Sequence, residues 1–120
     1  MRRRLLIGPV VAGLVVLCSC ASTRIFAARN ALITEANGHF ERGEYQAALL
    51  KYSAYLYSPE TPKSFEDLAM YRVGYCHLAL RHYRDAERTF KSFINKFPEN
   101  KRRPEAEEWL VKSRMYLEQE

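Results

Sequence analysis

Cysteine is scarce in this chain, and its three copies, Cys18, Cys20 and Cys76, include no well-spaced set of pairs. That excludes a disulfide-stapled scaffold. Strands are absent from the pattern as well, since no run of alternating β-branched residues occurs. There is no Gly-rich phosphate loop, no Ser-His-Asp order and no pair of glutamates in a pocket pattern, so no catalytic constellation is expected. A continuous span of about 20 apolar residues, the length that crosses a bilayer, is also missing. The apolar run "LLIGPVVAGLVVLC" is shorter and is broken by Gly8, Pro9 and Gly13.

Excess positive charge is only nominal. The chain of 120 residues carries a formal charge of +5, but Arg2, Arg3 and Arg4 supply three of its 19 Lys and Arg. Without them 16 basic residues face 14 acidic ones, a balance of +2. The body of the chain is therefore nearly neutral, which argues against nucleic acid as a partner. The stretch Arg81–Arg103 holds eight Lys and Arg against Asp85, Glu87 and Glu99. It reads as a solvated helix face, with an acidic partner or anionic headgroups as the other option.

The first residues have the layout of a secretory signal: a basic start, a short apolar segment and small residues before Cys20. A Cys-x-Cys redox pair at 18 and 20 would need a structured aqueous setting that such a segment does not offer. Leu17-Cys18-Ser19-Cys20 resembles the lipobox of bacterial lipoproteins, with Cys18 standing where Ala, Ser or Thr is usual. The resemblance implies cleavage before Cys20, a signal peptide over 1–19, and a lipidated Cys20 with a short tether over 20–24. Ala21, in place of Asp, implies outer-membrane rather than inner-membrane sorting, with the protein facing the periplasm. Two or more acyl chains, at about 0.8 kcal/mol per buried CH₂, make such an anchor stable without a spanning helix.

From residue 25 to 120 the composition is rich in Ala, Leu, Glu, Arg and Lys, and helix is the expected state. Breaks at Gly43, at "SPETPKS" and at "FPENKRRP", with a weaker one at Arg81-His82, predict five helices over about 24–42, 44–57, 65–80, 83–96 and 104–118. Ser64 and Asp67 resemble a capping box, and Pro104 suits a first helical turn. An offset of 38 superposes "LITEANGHFERGEYQAALLKYSAYL" on "MYRVGYCHLALRHYRDAERTFKSFI". It matches Ala36 with Gly74, His39 with His77, Tyr45 with Tyr83, Ala48 with Ala86, Tyr52 with Phe90 and Tyr55 with Phe93. The same step carries Tyr71 to Trp109. A small residue midway along one helix lets the next approach, and the aromatics of the second helix fill the gap to the following pair.

Met70…Gly74…Tyr83…Ala86…Phe90…Pro98 resembles the tetratricopeptide (TPR) repeat. The resemblance covers about residues 30–116 and implies an all-α fold: a short TPR solenoid of antiparallel helix pairs, two repeats plus a C-terminal capping helix. Long-looped repeats behind a lipobox are similar to the periplasmic group that includes BamD-type outer-membrane assembly lipoproteins and YbgF-type Tol-Pal-associated proteins. That likeness implies a non-enzymatic adaptor binding another cell-envelope protein or peptide segment, in outer-membrane protein assembly, Tol-Pal, or secretion and pilus assembly. A non-catalytic regulator of a peptidoglycan-synthesis enzyme is the alternative.

In such stacks the first helix of each pair lines the concave side. The residues placed there are Ile33, Asn37, Phe40, Tyr71, Tyr75, Leu78, Trp109 and Tyr116, a Tyr- and Trp-rich set of the kind that binds peptides. Cys76, midway along its helix, reads as a buried structural thiol. His39 and His77 read as packing residues. No third ligand stands at helix spacing from either, so neither a metal site nor any other cofactor is expected. No small-molecule substrate is implied.

Overall fold

The computed structural model describes residues 24, 27–59 and 64–120, all of whose regular structure is helical. The segment 1–19 expected to be a signal peptide and Cys20, the expected lipidation site, lie outside the described residues. The chain divides into a unit Met1–Ala31 and a unit Leu32–Glu120. In the first, residues 24 and 27–31 are helical. In the second unit the first helix, α1, is helical over 32–41. There follow α2 (Tyr45–Tyr57), α3 (Glu66–Ala79), α4 (Tyr83–Lys96) and α5 (Arg103–Gln119). No described helix is long and apolar enough to cross a membrane.

Helix α2 buries Ala48, Tyr52 and Tyr55, and α4 buries Ala86, Phe90 and Phe93. Both sets fall at i, i+4 and i+7, one stripe of a 3.6-residue period. The two stripes fill separate cores. Ile33, Ala36, Ala48, Tyr52, Tyr55, Ala69, Val73 and Cys76 make one cluster. Tyr71, Ala86, Phe90, Phe93 and Ala106 make the other. Helix α3 supplies both, giving Ala69, Val73 and Cys76 to one side and Tyr71 to the other. It packs on α2, α4 and α5, and α4 packs on α5. Removing a Tyr or Phe of this size from water contributes about 1.5–3 kcal/mol, so the four aromatics of α2 and α4 dominate the cohesion.

Close approach at the centre of the α3–α4 pair depends on one glycine. A Cβ on Gly74 would lie 2.9 Å from Cε1 and Cζ of Phe90, whose ring is completely buried. Phe90 therefore occupies the space that any side chain at 74 would claim. At the equivalent place in the preceding pair Ala36 is buried in the same cluster as Tyr52. Cys76, also on α3, is fully buried, and burial pushes its thiol up to about 12.

The two tight turns share one geometry. After α1 the Glu44 N–H donates to the His39 carbonyl at 2.9 Å and the Gly43 N–H to the Phe40 carbonyl at 3.0 Å. After α3 the His82 N–H donates to His77 at 2.8 Å and the Arg81 N–H to Leu78 at 3.1 Å. Both are Schellman motifs, in which the residue past the C-cap is left-handed. Gly43 (φ 75°) takes that place without strain, whereas Arg81 (φ 62°) bears the Cβ penalty of about 1–2 kcal/mol. The α2–α3 connection is longer. There the Ser64–Asp67 capping box does not form: α3 begins after Phe65 with no side-chain cap. Asp67 instead accepts a hydrogen bond from the Asn100 amide at 2.8 Å, tying the start of α3 to the α4–α5 turn.

Two glycine substitutions separate these constraints. Gly74→Val is expected to lower unfolding free energy by about 1–3 kcal/mol through overpacking against Phe90. Gly43 has no atom within 4 Å of its would-be Cβ. Gly43→Ala is therefore expected to cost about 1 kcal/mol, from backbone conformation alone. Urea melts of the two variants check both values.

Candidate functional site

One side of the Leu32–Glu120 unit carries a hollow of about 360 Å³ lined by Tyr75, Leu78, Ala79, Arg81, Tyr83, Trp109 and Tyr116. It is built from the C-terminal half of α3, the following turn, the first residue of α4 and the exposed side of α5. The Tyr75 and Trp109 rings meet edge to face at 5.3 Å, and those of Tyr83 and Tyr116 stack at 4.9 Å. Phe40 and Tyr45 extend the wall, with ring centroids 5.5 and 5.8 Å from Tyr75. Edge-to-face and stacked pairs of this kind contribute about 0.5–1.5 kcal/mol each beyond the area they bury. The wall is therefore held in shape before anything binds it.

Cations border the aromatic wall. The Arg72 guanidinium lies 4.6 Å over the Phe40 ring, and Lys112 Nζ lies 4.4 Å over Trp109. Arg72 also donates to Asn37 Oδ1 at 2.7 Å and to the Tyr52 hydroxyl at 2.9 Å, while that hydroxyl donates to Asn37 at 2.5 Å. A single side chain of α3 is thus locked to α1 and α2. The hollow's lining presents phenol and guanidinium donors, the Trp109 indole N–H being engaged by the Tyr71 hydroxyl, and contains no carboxylate, imidazole or thiol.

The eight residues placed on the concave side fall into three groups. Tyr75, Leu78, Trp109 and Tyr116 line the hollow together. Asn37 and Phe40 stand beside it, the first as acceptor for Arg72 and the second under its guanidinium. Ile33 and Tyr71, at 5% and 7% exposure, are buried in the two cores and present no binding surface. The reason is α3's position between two clusters, which covers the face that Tyr71 occupies. Its hydroxyl instead accepts a hydrogen bond from Trp109 Nε1 at 3.1 Å, joining two positions one repeat step apart.

Arg81 opens the basic stretch Arg81–Arg103 and is the part of it that lines the hollow. Lys112 stands three residues after Trp109, an i,i+3 spacing that places a cation beside a ring on a helix. Arg72 carries no local signal of its role in the wall. At His77 the expectation is that no third metal ligand stands at helix spacing. Helix spacing is the wrong register there, because the left-handed turn at Arg81 brings His82 back against His77, with rings 5.7 Å apart.

Compared with known proteins, the chain matches no family model, no curated sequence and no solved structure.

Burial raises the phenols of Tyr52, Tyr71 and Tyr75 above their ordinary value of 10.0. At Tyr71 a hydrogen bond with Glu105 adds to the rise while Trp109 opposes it. These groups and Cys76 hold their protons in the folded protein after the unfolded chain has lost them. Raised folded values mean stability that is complete below the unfolded values and declines above them. Unfolding free energy is expected to be insensitive to these groups below pH 9.0 and to fall from there towards about pH 12. In Cys76→Ala the decline begins nearer the phenol value of 10.0. Urea melts across the alkaline range measure both onsets.

Proposed function

We propose that this protein is a lipid-anchored periplasmic adaptor of the tetratricopeptide type, which holds a segment of another cell-envelope protein in the hollow of α3 and α5. The observation behind this reading is the preassembled aromatic wall of Tyr75, Trp109, Tyr83 and Tyr116. Rigid aromatic side chains give large contact area at little cost in side-chain entropy. Arg81 and Lys112 at the margin favour a segment that carries a carboxylate beside apolar side chains.

Three features support the repeat assignment. Helix pairs recur at a step of 38, each closes with the same Schellman turn, and each buries an aromatic of its second helix against a small residue of its first. In this reading α5 is the first helix of a third, unpaired unit and closes the stack. The anchor rests on the lipobox-like Leu17-Cys18-Ser19-Cys20. Outer-membrane assembly, Tol-Pal and secretion or pilus assembly are the settings that the resemblance offers.

Labelled palmitate is expected to enter the protein and to be lost entirely in Cys20→Ala; incorporation unchanged in that variant refutes the anchor. For the hollow, a photo-crosslinking side chain at position 116 is expected to capture one envelope protein. Tyr75→Ala, with helical circular dichroism intact, is expected to reduce that capture at least about tenfold, since an aromatic anchor is worth roughly 2 kcal/mol. Equal capture in the variant removes the hollow from consideration.

A further inference from the structure

The turn from α3 to α4 assembles three side chains that the hollow does not use. His77 comes from the last turn of α3, His82 from the position just before α4, and Asp85 from the first turn of α4. Nδ1 of His77 and Nδ1 of His82 lie 3.4 Å apart. One ligand atom from each of the three residues lies within 4.8 Å of the others. Among the described residues no other group of three or more His, Cys, Asp or Glu is so placed.

The juxtaposition follows from the backbone. A Schellman motif brings the C3 and C″ side chains together, and the contact between them is commonly hydrophobic. Here those positions are His77 and His82. The equivalent positions after α1 hold His39 and Glu44, whose Nδ1 and Oε2 pair at 2.8 Å with Arg42 donating to the same carboxylate. The first turn is therefore a complete donor–acceptor set. In the second turn a second imidazole replaces the carboxylate, so two ring nitrogens converge and a separate carboxylate stands alongside. The separation of 3.4 Å is long for an N–H···N hydrogen bond between the rings. It equals the edge of a tetrahedron with metal–nitrogen bonds of about 2.0–2.1 Å, which is about 3.3–3.4 Å.

We propose that His77, His82 and Asp85 form a zinc-class divalent metal site, with two imidazole ligands, one carboxylate and a fourth position open to solvent. Two nitrogens and one oxygen suit Zn²⁺ better than Mg²⁺ or Ca²⁺, which take oxygen sets. The ion's charge is partly met by Asp85, whose ion-pair partner among the described residues, Arg88, is exposed and 3.7 Å away. Its structural effect is local. Bound zinc clamps the end of α3 to the start of α4 across Arg81, the strained residue that also lines the hollow. The site thus stiffens one edge of the aromatic wall.

The test is a zinc titration of the full chain followed by histidine side-chain NMR and calorimetry, in a non-chelating buffer. Zinc is expected to shift the Nδ1 resonances of His77 and His82 and to leave His39 unchanged. That readout locates the ion whatever the cysteines at 18 and 20 take up. His82→Ala and Asp85→Asn, both at exposed positions, are each expected to weaken this binding at least about tenfold, the lower end of what loss of even an outer-shell partner costs. His39→Gln is expected to retain it. Absence of any shift at His77 and His82, or the same affinity in His82→Ala as in the parent, overturns the site.

Discussion

The Phe90 ring lies where a side chain at position 74 would be, and most of the fold is arranged around that contact. Because Gly74 has no Cβ, α4 can settle on α3 with its aromatic stripe facing inwards, and Phe93 and Ala86 follow on the same face. Tyr71 is then enclosed between Phe90 and Phe93, with ring centroids 5.9 and 5.7 Å away. Enclosing Tyr71 aims its hydroxyl at Trp109, which positions α5, and α5 completes the hollow. A side chain on residue 74 would push against ring carbons that are completely buried and have no free space to enter.

Helix α3 carries an unusual share of the burden. Most helices in a small domain show one apolar stripe, but α3 is buried on two sides and its polar residues survive only where they have partners. Arg72 is such a case: its guanidinium is satisfied by Asn37 and Tyr52 and covered by Phe40. A charged group among aromatic rings is stable there because every contact compensates lost hydration. The same side chain anchors one end of the aromatic wall, so core and surface are built from one set of residues.

How much of this could be read from the residues depends on the range of the interaction. The five helices follow from period and breaks, and the end of α1 and both ends of α2 to α5 fall within a residue of the expected ones because Gly43, Pro98 and Pro104 punctuate locally. The Ser64–Asp67 cap fails because a distant residue, Asn100, engages Asp67 instead. Ile33 and Tyr71 belong to the same repeat column as Trp109, yet only Trp109 reaches the hollow. The column gives orientation on each helix, whereas exposure depends on which neighbours cover it. His82 and Asp85 carry no signal at helix spacing, since the turn that brings them to His77 is left-handed and spans five residues.

The sequence alone determined the helical state, the step of 38 and the small-against-aromatic pairing, because each rests on residue type at short separation. It also holds the lipobox-like Leu17-Cys18-Ser19-Cys20, a pattern that is read along the chain without any fold. Tertiary structure decided which aromatics are core and which are wall, since that depends on α3 being covered from two directions. It decided as well that two imidazoles and a carboxylate meet at one turn, because a backbone hydrogen-bond motif, and not a periodicity, sets that encounter.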